Sequence, residues 1–125
     1  MEGFRFEQLD IWKEAIEISD KLLEIADLAD LKKYYKFGEQ LRAATMSITN
    51  NIAEGSGSFS DRDFASFLNY SRRSIFECAN ILIIFERRNI ITNQQRTELF
   101  AKLITQSKKT TNFRKSLLSP TSTTR

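Results

Sequence analysis

Residues 1–119 of this chain contain no proline, and glycine occurs only at Gly3, Gly38, Gly55 and Gly57; the single proline is Pro120. Tight turns and sheet corners draw heavily on those two residue types. A chain of 125 residues with so few of them is poorly supplied for the many turns of an all-β fold. Long helices joined by a few short loops are the economical solution.

Apolar residues recur at the helical period in four stretches. In the first, about residues 7–29, Leu9, Ile11, Trp12, Ala15, Ile16, Ile18, Leu22, Leu23, Ile25 and Ala26 share one arc of the wheel, and Asp10, Glu14, Glu17, Asp20, Glu24 and Asp27 share the other. That apolar arc covers about half the circumference, wider than the ~100° stripe one core contact needs. The second stretch, about residues 36–54, carries Phe37, Leu41, Ala44, Ile48 and Ile52 at three- and four-residue steps. Gly55 stands after it where a left-handed C-cap glycine belongs, and residues 55–58 read as the connection.

The third stretch, about residues 61–88, opens on a Ser60 cap with Asp63 as the acidic half of a capping box. Its seam is Phe64, Phe67, Leu68, Ile75, Cys78, Ala79, Leu82 and Phe85, with Ser71 and Ser74 beside it to allow close helix approach. Residues 81–85 are apolar all round, which implies burial on more than one side. Asn89 reads as its stop. Thr92 with Gln95 is a second capping box, opening a fourth helix whose inner face is Leu99, Leu103, Phe113 and Leu117 and which ends near residue 118. Four helices with short connections pack as antiparallel neighbours. The fold expected is all-α, an antiparallel up-down-up-down four-helix bundle over residues 1–118, with a flexible tail at 119–125.

Little in the chain carries chemistry. Histidine is absent, which removes the commonest general base and metal ligand. The lone Cys78 lies on the third seam and reads as a small buried residue, not a nucleophile; it also fits a reducing compartment, hence the cytoplasm. The glycine pair at 55 and 57 follows a helix, not a strand, and is too short to cradle phosphate. The N-terminus has no signal-peptide pattern, and the run at 81–85 is far short of the ~18 apolar residues that span a bilayer. No catalytic residue, metal, cofactor or membrane contact is expected, and the protein is expected not to be an enzyme.

Charge is distributed unevenly. Residues 1–30 hold three Lys/Arg against nine Asp/Glu, whereas residues 91–125 hold seven Lys/Arg against Glu98 alone. In an up-down-up-down bundle the first and third loops share one end, which collects Lys32, Lys33 and Lys36 with Arg87, Arg88 and Arg96. That pole, with Lys108, Lys109, Arg114 and Lys115 on the fourth helix, forms a candidate surface for RNA or DNA, because each neutralised phosphate releases counterions. A local reading competes with it. Acidic and basic helices can pair with each other, Arg87 and Arg88 suit the negative end of a helix dipole, and Asp27, Asp30 and Glu86 offset the pole.

Three segments in order carry a resemblance: residues 6–12 (FEQLDIW), residues 39–55 (EQLRAATMSITNNIAEG), and residues 63–68 (DFASFL) continuing to Ser74 and Glu77. Over about residues 4–118 the chain resembles the bacterial four helix bundle proteins, also called the 23S rRNA intervening-sequence protein family. The resemblance implies a four-helix bundle that assembles as a ring-like homopentamer and whose genes lie in insertions within ribosomal RNA genes. It also implies kinship with the accessory protein of diversity-generating retroelements, which binds nucleic acid and a reverse transcriptase. It identifies no reaction. Arg73 stands where the family usually has glycine, which raises a question about local packing. Two functions follow as expectations: an oligomer that binds nucleic acid, or a protein–protein adaptor. In either case the wide arc of the first helix and the apolar run of the third are expected to supply the subunit interface.

Overall fold

The structure, a computed structural model, describes residues 3–120. A short 3-10 turn at Arg5–Gln8 precedes four helices: α1 (Asp10–Leu31), α2 (Tyr35–Ser56), α3 (Asp61–Arg87) and α4 (Asn93–Leu118). Each helix packs on the next in sequence and α4 closes against α1, so order around the bundle is chain order and neighbours run antiparallel. Among the described residues there is no strand, and no helix is long and apolar enough to cross a membrane. Most of the expected tail, residues 121–125, lies outside the described residues.

The first helix begins later than its periodicity predicts. The Phe4 amide donates to Glu7 Oε1 at 2.8 Å and Phe6 meets Trp12 edge-on at 5.0 Å, which closes a separate turn before Asp10. Beyond it, Ile11, Ala15, Ile18, Leu22, Ile25, Ala26 and Ala29 are all buried, with Trp12 and Leu28 packed beside them. Because α1 faces both α2 and α4, most of its wide apolar arc is buried within one chain, while Ile16 and Leu23 of that arc remain half-exposed. In α3 the run at 81–85 divides: Ile81, Leu82 and Phe85 are buried, and Ile83 and Ile84 face solvent.

The inner stripe of α4 follows a three–four spacing through Leu99, Leu103, Gln106, Thr110, Phe113 and Leu117. Two of its members are polar and fully buried. Gln106 Nε2 donates to the Ile11 carbonyl at 2.8 Å, and Thr110 Oγ1 to the Gln106 carbonyl at 2.8 Å. Each donates to a backbone carbonyl, Gln106 across to α1 and Thr110 within α4, so neither donor is buried without a partner.

Ser60 and Thr92 both cap their helices, but only the second of the two expected capping boxes is complete. Ser60 Oγ accepts from the Asp63 amide at 3.1 Å, without a return bond from the Asp63 side chain. Thr92 and Gln95 complete both halves of their box, at 3.1 and 2.8 Å. Gly55 is not a left-handed cap: α2 continues through it to Ser56 and ends on Gly57 at φ −87°. The left-handed residues are Lys33 (φ 68°) and Asn89 (φ 60°). Each sits just past a helix and closes a 6→1, 5→2 pair of backbone bonds. These are Tyr34 to Ala29 and Lys33 to Asp30, both 2.9 Å, and Ile90 to Phe85 at 2.9 Å with Asn89 to Glu86 at 3.0 Å.

Candidate nucleic-acid interface

Those matching turns end α1 and α3 at the same pole, and the Lys32 ammonium joins them by donating to the Asn89 carbonyl. Lys32, Lys33, Lys36, Arg87 and Arg88 are all exposed there, and among the described residues none has a carboxylate within ion-pair distance. The acids that could offset them are engaged elsewhere. Arg42 bridges Asp27, at 2.7 Å, and Asp30, so two carboxylates share one cation. Glu86 is taken by Arg96, which also lies 4.6 Å over the Phe100 ring. Arg96, expected at the pole, is thereby drawn into the α3–α4 packing.

The Arg96 hydrogen bond holds the Glu86 carboxyl below its ordinary pKa, against a smaller opposing effect of burial. A depressed carboxylate adds stability above its unfolded pKa and loses it as pH falls through the folded value. This tie between α3 and α4 therefore loosens in acid, below the usual glutamate range.

Helix ends of both signs meet at the pole, the negative ends of α1 and α3 beside the positive ends of α2 and α4. α2 and α4 both begin there with no acidic residue in the first turn, and α2 has no side-chain cap. Their free N–H groups point outward with the positive ends of their dipoles. Between the loops lies a cleft of about 520 Å³ lined by Lys32, Asn89, Thr92, Asn93 and Gln95 among others. Apart from Lys32, these polar residues were not among the sequence candidates; the signal that could have found them is the N-terminus of α4 itself.

The candidates on α4 do not join this pole. Residue 108 lies roughly 22 Å along the helix from its start, at about 1.5 Å per residue. Lys108 is exposed on the α3 side, beside Phe76 and Ile104. Lys109 faces α1 and pairs with Glu14 at 2.6 Å. Arg114 is half-buried and donates through Nε to the Ala65 carbonyl at 3.1 Å, holding the end of α4 to the start of α3. Lys115 is exposed near the far end. Acidic α1 and basic α4 thus do pair locally, through Glu14 and Lys109.

The question raised by Arg73 is a matter of which face it occupies. Close approach of α2 and α3 runs through Ser71, which donates to the Ile48 carbonyl at 2.8 Å, and Ser74, 2.8 Å from Ser47 Oγ. Arg73 is exposed beside them and lines a shallow cleft between the two helices with Ser47, Asn51, Ser74 and Glu77.

Cys78 is fully buried, its sulfur 3.8 Å from Thr45 Oγ1, and burial pushes its thiol pKa up to about 12. Only the thiolate attacks a disulfide reagent. Native protein at pH 8 should therefore label far more slowly than urea-unfolded protein. Labelling of the native state within mixing time would show that the sulfur is reachable. Among the described residues, no group of three or more Asp, Glu or Cys side chains is placed to hold a metal ion.

The residues of the pole, the α1–α2–α3 core and most of α4 fall within one family match: a model described as 23S rRNA-intervening sequence protein covers residues 7–112. A search of curated proteins finds no match. The matched span includes residues 7–12, 39–55 and 63–68, where the resemblance is carried, and it runs from the 3-10 turn well into α4. The chain belongs to the 23S rRNA-intervening sequence protein family.

Proposed function

We propose that this protein is a non-enzymatic, self-associating bundle, a homopentamer by family resemblance, that binds the phosphate backbone of RNA or DNA at its basic pole. The observation that carries this reading is the set of cations Lys32, Lys33, Lys36, Arg87 and Arg88, gathered around two loops at one end without carboxylate partners among the described residues. The backbone of Lys33 supports it. A left-handed lysine is strained by roughly 1–2 kcal/mol where glycine would fit freely. Strain kept at such a position points to use of the side chain. Phosphate contacts of this kind are sequence-tolerant, and repeating the pole around an oligomer lets several weak contacts act together.

The test is an anisotropy titration of the full chain with structured RNA and with duplex DNA at low salt. Binding should weaken steeply as salt rises, and Lys32→Glu with Lys33→Glu should lower affinity at least about tenfold and reduce the salt slope by about two. Lys33→Gly separates the two properties of that residue: urea unfolding should show a gain of roughly 1 kcal/mol while binding falls. No binding at about 50 μM protein, where sequence-independent contacts of the usual strength register, would remove the nucleic-acid reading.

A further inference from the structure

Phe59 is the most exposed large apolar side chain among the described residues. Its position makes that exposure unusual. It precedes the Ser60 cap of α3, where an apolar residue ordinarily staples onto the fourth helical residue, here Phe64. Phe64 is instead taken by Phe113, edge-on at 5.4 Å, and by Arg5, 5.1 Å over its ring. The staple is not made, and Phe59 stands out from a short loop whose backbone is fixed by Ser58 bonding to the Gly55 carbonyl at 3.0 Å and by the Ser60 cap. Exposed Glu54 and Asp63 flank it; Arg62 adjoins it in sequence, while Arg5 and Arg114 are turned to the Phe64 ring and the Ala65 carbonyl at the start of α3.

A complementary surface lies on another face. Between α3 and α4 runs an apolar groove of about 270 Å³ whose walls include Phe76, Ala79, Phe100 and Ile104. Phe76 is 56% and Ile104 51% exposed, although both are large apolar groups. A dry apolar cavity of roughly 150 Å³ holds a benzene ring, so the groove has room for a phenyl group. Its rim is cationic. Lys108 is exposed beside it, and Arg72 lies 4.8 Å over the Phe76 ring with a buried Nε that has no hydrogen-bond partner.

We infer that the Phe59 loop of one copy seats in the α3–α4 groove of a second copy, with Glu54 and Asp63 set toward Arg72 and Lys108. The loop cannot serve its own groove, because Phe76 lies roughly 23 Å further along α3 at about 1.5 Å per residue. Such a contact is heterologous. Each copy keeps one free loop and one free groove until the rotation closes a ring or extends a chain. The inference rests on the self-association proposed above and names the surfaces that make it; it is independent of the nucleic-acid reading.

The test uses light scattering and sedimentation of the full chain, with far-UV circular dichroism to confirm helix content. Phe59→Asp and Ile104→Glu change exposed positions, so both should fold, and each should weaken assembly at least about tenfold, as loss of an interface anchor does. Should Phe59→Asp not fold, Phe59→Ser takes its place. The decisive arm mixes the two variants. Phe59→Asp retains a groove and Ile104→Glu retains a loop, so together they should form a heterodimer that grows no further. Wild-type protein that stays monomeric at about 100 μM would overturn both the self-association and this contact. Wild-type assembly that either variant leaves intact, or a mixture that stays monomeric, would overturn this contact alone.

Discussion

Phe64→Ala is expected to destabilise the protein by about 3–5 kcal/mol, the range for removing a fully buried phenylalanine. The side chain has no exposed surface. It also joins segments that are far apart in the chain: Arg5 of the N-terminal turn lies over its ring, Phe113 near the end of α4 meets it edge-on, and the backbone of Gly55 near the end of α2 runs past it. An alanine there would leave a cavity that none of these can fill, because each is held by its own helix or turn. With domain stabilities of about 5–15 kcal/mol and urea slopes of about 1–3 kcal/mol per molar, the midpoint should fall by at least about 1 M. Trp12, the one tryptophan, reports the transition by fluorescence, and circular dichroism gives an independent probe. Phe100→Ala, at a half-buried site on the groove, should lose clearly less. A loss under about 1 kcal/mol at Phe64 would mean that this end of the bundle is not packed as described.

Local signals in the sequence were sufficient for the helices and for three of their boundaries. Ser60, Thr92 with Gln95, and Asn89 act within a few residues of themselves, and each marks its boundary as read, although the Asp63 half of the Ser60 box does not form. What escaped the sequence depends on distant partners. Lys109 and Arg114 look like any surface cations, and only the fold places Glu14 and the Ala65 carbonyl against them, 95 and 49 residues away. Gln106 and Thr110 are polar and so give no hydrophobic signal, although their spacing with Leu99, Leu103, Phe113 and Leu117 places them inward. Nothing about lysine favours the left-handed turn that Lys33 adopts; the return of the chain from α1 to α2 imposes it. At Phe59 a motif that ordinarily buries the residue failed, because Arg5 and Phe113 reached Phe64 first. The candidate interface was legible as an end of the bundle, since loop lengths and helix order fix which loops share it. Which of its charges are free was not legible, since that turns on Arg42 and Arg96 finding their acids across helices.

Gly55→Ala brings two effects of opposite sign into one helix position. Alanine inside a helix is favoured over glycine by about 1 kcal/mol, and Gly55 is helical. Against this, a Cβ at Gly55 would lie 2.7 Å from Phe67 Cβ and 2.8 Å from Phe64 Cδ1. The first of these atoms is fixed to the α3 backbone, and the second belongs to a ring with no free space around it, so neither can swing aside. Relief requires α2 and α3 to separate, and overpacking of that kind costs about 1–3 kcal/mol or more. The clash is expected to win, leaving a net loss of up to about 2 kcal/mol in urea unfolding, the overpacking cost less the propensity gain. Gly57→Ala is the matched control two residues on. Its φ of −87° is ordinary for any residue, and the nearest atom to an added Cβ is the Glu54 carbonyl oxygen at 3.4 Å. That substitution should be neutral or stabilising by up to about 1 kcal/mol, because it narrows the unfolded chain without straining the folded one. Opposite signs at the two glycines would assign Gly55 to helix–helix contact. A stabilising Gly55→Ala would mean that α2 and α3 are not in contact there.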